Sequence, residues 1–170
     1  MKRFLFAALL FSTSTLSQAA DTQCLSGKYD SYIDASLTWY QDLIQLTTQQ
    51  YPDLKDVGEW FYNGRKNHFE LNRVAVHVFL EEDSSKVATE QPVEAWLKLE
   101  QVDVKALANR TDELGRLASI SFNDRQSKPH EKNYQLRSAF ADLLSHPNKI
   151  DSVLSKYNNA ITKTENINCM

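Results

Sequence analysis

The chain has 170 residues, a formal net charge of -3, four glycines, four prolines and two cysteines. So few glycines and prolines argue against a many-turned β sandwich. A mildly acidic chain without a Lys/Arg cluster argues against nucleic-acid binding. The length suits one domain with a real core and is too short for two comfortable ones.

Lys2 and Arg3 precede the apolar run Phe4 to Phe11, and a polar stretch then ends in Ser17-Gln18-Ala19-Ala20. This is the three-part layout of a secretory signal peptide, expected over 1–19 with cleavage near Ala19. The apolar run is too short to span a bilayer. Cys24 is not preceded by the small apolar residues of a lipoprotein signal, so no stable membrane anchor is expected. Residues 20–170 then form a single exported domain, periplasmic or secreted. Losing Lys2 and Arg3 lowers its formal charge to about -5.

Cys24 and Cys169 bracket this domain, and in an oxidising compartment such a pair reads as a disulfide. Tyr29 to Tyr51 is the first amphipathic segment. It places Tyr29, Tyr32, Ile33, Tyr40, Leu43, Ile44 and Tyr51 on one face, with Asp34, Asp42, Gln45 and Gln49 opposite. Pro52 then separates it from a helix expected over Asp53 to Asp83, capped by Asp53. On its wheel Val57, Trp60, Gly64, Leu71, Ala75 and Val78 share one face, flanked by Phe61 and Phe79. The β-branched run Val74 to Leu80 admits a strand, but its apolar positions continue the helical wheel and no partner strand is evident.

A third segment opens at Thr89 or Gln91 with Pro92. Its inward set Val93, Trp96, Val104, Leu107, Leu114, Ala118 and Phe122 predicts one long helix, with a break near Asn109 and a fresh cap at Thr111. A polar loop over 123–129 follows. A short helix carrying Leu136, Phe140, Leu143 and Leu144 stops at His146-Pro147. The last helix, capped by Asn148, carries Ile150, Val153, Leu154, Tyr157 and Ile161. The expected fold is therefore all-α, a single-domain bundle of about four to five amphipathic helices with its termini tied by a disulfide.

Glu-x-x-His, His-Glu-x-x-His, Cys-x-x-Cys-His, Gly-x-Ser-x-Gly, Gly-x-Gly-x-x-Gly and the Walker loop are all missing from the sequence. No metal, cofactor or catalytic machinery is therefore assigned. His77 and Glu81 stand four apart, yet two ligands make a weak metal site. His68 and Asn72 are different, because they project from within the apolar face of the second helix with Arg65 at its edge. Glu100 occupies a similar position in the third segment, between Trp96 and Val104. Together Arg65, His68, Asn72 and Glu100 form the candidate polar cluster.

The plainer reading of that cluster is a satisfied network that fixes helix register. A ligand pocket is the alternative, and acid/base work by His68 and Glu100 is the outlying one. The expectation from sequence is an exported, non-enzymatic protein that binds another protein, in the manner of an inhibitor, immunity protein or adaptor. Its acidic charge favours a basic partner, and Tyr62 with Phe69 are the candidate exposed aromatic patch. A small-ligand-binding bundle built around His68 is the second expectation.

Overall fold

The computed structural model describes the backbone of residues 14–169 and the side chains of 21–169. The leader expected over 1–19 lies outside the described residues, save for the backbone of 14–19. Among the described residues six α-helices occur, one more than the expected four to five, in this order: α1 Ser14–Gln50, α2 Lys55–Glu82, α3 Gln101–Leu107, α4 Glu113–Gln126, α5 Asn133–Leu144 and α6 Pro147–Glu165. Short 3-10 turns lie at Pro52–Leu54, Ser84–Lys86 and Val93–Ala95. No strand occurs among the described residues, so Val74 to Leu80 is helical. No helix among them is long and apolar enough to cross a membrane.

α1 and α2 form an antiparallel hairpin that runs the length of the molecule. On α1 the inward positions Tyr29, Ile33, Ser36, Tyr40, Leu43 and Thr47 alternate in steps of four and three, the spacing that keeps one seam facing a partner helix. α2 answers with Val57, Phe61, Leu71 and Ala75, of which Val57, Leu71 and Ala75 are fully buried. The helices approach closely at Gly58, where an added Cβ would stand 2.9 Å from the Ile44 Cγ2. Thr47, buried in the seam, satisfies its hydroxyl by donating to the Leu43 carbonyl at 2.8 Å.

α6 returns antiparallel along another flank of α1. Trp39 meets Tyr157 with ring centroids 5.5 Å apart, and Lys156 pairs with Asp42 at 2.6 Å. At its far end the Cys24–Cys169 disulfide closes the chain across 145 positions. Lys28 reinforces the closure, donating its Nζ to the carbonyls of Glu165 and Ile167 at 3.0 and 3.1 Å, where the last turn of a helix leaves acceptors free.

Two apolar clusters divide the core. One joins Tyr29, Ile33, Leu71, Ala75 and Phe79 of the hairpin to Val93, Trp96, Val104, Leu114 and Ala118. The other joins Leu43, Val57 and Leu54 to Leu136, Phe140, Leu143 and Ile150. α4 thus covers the C-terminal half of α2 and α5 covers its N-terminal end. Phe69 lies in the first cluster against Tyr32 and Tyr40, so it forms no exposed patch with Tyr62.

The third segment departs from the expected single helix, although its inward set is correct. Trp96 stacks on Tyr29 at 5.9 Å and donates its indole N–H to the Gln91 carbonyl, while Ala88 N–H donates to the Trp96 carbonyl. These bonds fold 88–96 into a closed loop. Glu100 then starts α3 afresh through a capping box with Asp103. The next break falls near Asn109 as expected, but the cap of α4 is Asp112 rather than Thr111, accepting from the Gly115 N–H at 3.0 Å. A Cβ at Gly115 would overlap the Arg110 carbonyl oxygen, which explains the glycine.

Other boundaries shift for similar reasons. Pro52 opens a 3-10 turn, so Leu54 rather than Asp53 precedes α2. α4 continues to Gln126 and leaves a loop of 127–132 instead of 123–129. Pro147 takes the first position of α6 because its missing N–H costs nothing there, which places Asn148 inside the helix.

Replacing Cys24 and Cys169 together with serine should lower unfolding free energy by about 3–5 kcal/mol, from the entropy released by so long a loop. Urea titration of the two proteins measures this. A loss below about 1 kcal/mol would mean that α6 holds α1 without the link.

Candidate functional site

Neither α4 nor α5 covers α2 around Trp60 and Gly64. Where the chain turns between them, Trp60, Gly64, Asn67 and His68 of α2 face a cleft of about 520 Å³. Its other walls carry Ser121, Asp124 and Arg125 from α4, Ser127 from the loop, and Asn133 and Arg137 from α5. Trp60 and Gly64, expected on an inward face, thus border open space. Trp60 is 37% exposed, with its ring 5.9 Å from that of His130. A Cβ at Gly64 would meet nothing within 4 Å. Packing therefore does not require glycine there, although it costs about 1 kcal/mol relative to alanine inside a helix.

Three arginines line the cleft, one from each helix, and each is steadied by neutral partners. Arg65 lies over the rings of Tyr40 and Phe61, at 5.8 and 5.5 Å. Arg125 donates to Gln101 Oε1 at 3.2 Å and to His68 Nδ1 at 3.1 Å. Arg137 donates through Nε to Asn133 Oδ1 at 3.4 Å. Among the described residues none of the three forms an ion pair, whereas Arg73, Arg110 and Arg116 each bind carboxylates. Asp124 is the one carboxylate in the lining, and it accepts from the Asn67 amide.

The contact with Arg125 fixes the state of His68. A guanidinium only donates, so Nδ1 must be the bare ring nitrogen and Nε2 carries the proton. Nε2 lies 3.5 Å from the Asn72 Nδ2, and the Asn72 Oδ1 has no hydrogen-bond partner although the residue is buried. The amide orientation that satisfies both groups turns Oδ1 toward the ring. Burial, then the charges of Arg125 and Arg65, push the His68 pKa down to about 4. His68 is therefore neutral at physiological pH and serves as an acceptor that aims Arg125.

The structure thus places Arg65 and His68 in the cleft and Asn72 directly behind His68. Glu100 stands apart from them. It is exposed, caps α3, and pairs with Lys98 at 2.8 Å, which holds its carboxyl below the usual range. No hydrogen bond or ion pair joins it to His68 among the described residues, so the two do not form an acid/base couple. His77 binds Asp30 of α1 at 2.8 Å rather than Glu81. Among the described residues no group of three or more His, Cys, Asp and Glu is placed to hold a metal ion.

Arg125, Arg137, Asn67 and Asn133 were not singled out by sequence, yet a signal for the arginines exists. Arg65, Arg125 and Arg137 have no acidic residue three or four positions away on either side. Arg73 has Glu70, Arg110 has Glu113, and Arg116 has Asp112 and Glu113.

The lowered pKa of His68 makes stability depend on pH. Unfolded, its imidazole takes a proton near 6.5; folded, near 4. Between these values the unfolded chain binds more protons, so stability is retained above the window and falls as pH drops through it. After discounting for the open cleft the loss is about 1–2 kcal/mol. His68→Gln should remove that part of the loss when urea titrations at pH 7.5 and pH 4.5 are compared. Equal losses in both proteins would contradict a neutral, buried His68.

Comparison of the chain with protein-family models, with curated proteins and with solved structures gives no match.

Proposed function

We propose that the chain is an exported binding protein whose α2/α4/α5 cleft takes an anionic ligand. The observation that carries this reading is the set of three guanidinium groups on one cleft, without a carboxylate partner, in a chain of net negative charge. Folding alone does not favour that arrangement, since like charges brought together repel and pairing them elsewhere is easy. An anion removes the repulsion and gains charge-assisted hydrogen bonds from forks already held in place.

Supporting features agree with a binding role. The cleft volume lies within the usual range for small-ligand sites, and it combines an aromatic wall with a few polar groups. Gly64 deepens it at a cost to the helix. The leader pattern and the Cys24–Cys169 link support export. The expectation of a basic protein partner rested on net charge, whereas the local charge here favours an acidic ligand.

Thermal melting at low ionic strength tests the reading, with inorganic phosphate as the added anion and chloride at matched ionic strength as the reference. Phosphate in excess of its dissociation constant should raise the midpoint of the native chain by a few degrees. The Arg65→Gln/Arg125→Gln/Arg137→Gln variant should lose that rise. Gly64→Leu should melt at or above the native midpoint, because helix propensity improves by about 1 kcal/mol, yet respond less to phosphate. If the native and triple-variant proteins respond alike, the cleft is not an anion site.

A further inference from the structure

The cleft's charge and shape say more about the ligand than its sign. Arg65, Arg125 and Arg137 supply three positive charges to the lining and Asp124 returns one, while His68 is neutral. The lining therefore carries a surplus of about two positive charges, which a dianion neutralises and a monoanion does not. The donors also come from three different helices. Arg125 is anchored through its two terminal nitrogens to Gln101 and His68, leaving Nε–H and its remaining terminal hydrogens. Arg137 is anchored through Nε alone, so its whole terminal fork is free. Arg65 is anchored by ring faces and keeps every N–H.

Forks approaching from three helices suit a head group that accepts on several sides. A tetrahedral phosphate does this with three terminal oxygens, whereas a carboxylate offers its lone pairs in one plane. Beside the charged groups, Trp60 presents a partly exposed indole, and Phe61 also lines the cleft. The open space above Gly64 lies one helical turn away from Trp60 on the same face. A flat body joined to the head group would rest there against the indole.

We propose that the cleft binds a phosphate monoester carried on a ring, with the phosphate held by Arg65, Arg125 and Arg137 and the ring lying on Trp60 over Gly64. The proposal rests on the anion-binding reading above and adds to it the charge state and geometry of the head group. Arg125 has the central place, since His68 and Gln101 aim it. Asn67, Asn133 and Ser127 border the same space and are positioned to meet ring substituents.

Four benzene derivatives separate charge from shape in isothermal titration of the full, disulfide-intact chain at pH 7.5 and low salt. Phenyl phosphate is a tetrahedral dianion, phenyl sulfate its monoanionic counterpart, isophthalate a planar dianion and benzoate a planar monoanion. Phenyl phosphate should bind at least tenfold more tightly than phenyl sulfate or benzoate, and severalfold more tightly than isophthalate. Arg125→Gln and Arg137→Gln, both at exposed positions outside the core clusters, should each weaken it tenfold or more. Arg116→Gln, which alters an ion-paired arginine outside the cleft, should leave it unchanged. Trp60→Ala should weaken phenyl phosphate while leaving inorganic phosphate within twofold.

Isophthalate binding as tightly as phenyl phosphate would overturn the tetrahedral assignment, and phenyl sulfate doing so would overturn the dianion. In either case sensitivity to Arg125→Gln would leave the anion-binding reading standing. Absence of binding by all four probes, or binding indifferent to Arg125 and Arg137, would overturn both.

Discussion

The packing of α2 against α1 is the contact on which everything else depends. α2 is a 28-residue helix whose apolar arc is wider than one neighbour can cover. α1 takes one side of that arc through Tyr29, Ile33, Tyr40, Leu43 and Thr47, and the other side must be closed by separate elements. α4 and α5 do so with 14 and 12 residues, each too short to run the length of α2, and the chain turns away from α2 between them. The cleft is the remainder of this arithmetic. Trp60 and Gly64 share the face of the buried residues but lie where no helix covers them, and His68 sits at the edge of that gap, against the end of α4. The disulfide secures the same hairpin from outside by fixing α6 along α1.

Electrostatics separates the scaffold from the site. Around the scaffold, charges are matched: Arg73 is surrounded by Asp30, Asp34 and Glu70, and Arg110 links Glu82 to Asp112 at the break before α4. Such exposed pairs contribute little each to stability, but they fix where helices start and cross. Around the cleft, guanidinium groups are oriented by an amide, an imidazole and ring faces, none of which neutralises charge. His68 sits at the boundary between the two regimes. Its neutral ring depends on the burial that α2 and α4 provide, and its bare nitrogen fixes the direction of Arg125. Removing positive charge here should cost the fold little, since no ion pair is lost with it.

Much of this fold is legible in the residues, for reasons that differ between elements. The 4-3 alternation in α1 and the long wheel of α2 are unambiguous, and the cysteines at the two ends leave one pairing. The third segment was misread because Trp96 and Val104 are both inward. Periodicity cannot tell a continuous helix from a helix preceded by a loop that tucks a large ring inward. What decided it were tertiary bonds, from the Trp96 indole to Gln91 and from Glu100 to Asp103, which are invisible to a wheel. The site was half legible. His68 and Asn72 stood out as polar residues at apolar positions, and Arg65 as their neighbour. Glu100 satisfied the same criterion and belongs elsewhere, since a helix cap turned it to solvent. Arg125 and Arg137 gave no amphipathic anomaly, because exposed arginines on helix faces are ordinary. Their lack of an acid at three or four positions was the readable feature.

The most direct measurement is nitrogen-15 NMR of the arginine side chains during titration with phenyl phosphate, because each guanidinium reports its own surroundings and the ion-paired arginines act as internal references. The account predicts that the Nε–H signals of Arg65, Arg125 and Arg137 move together and saturate at one ligand per chain, while those of Arg73, Arg110 and Arg116 stay in place. Uniform small movements of all six, or saturating shifts confined to the ion-paired three, would contradict it.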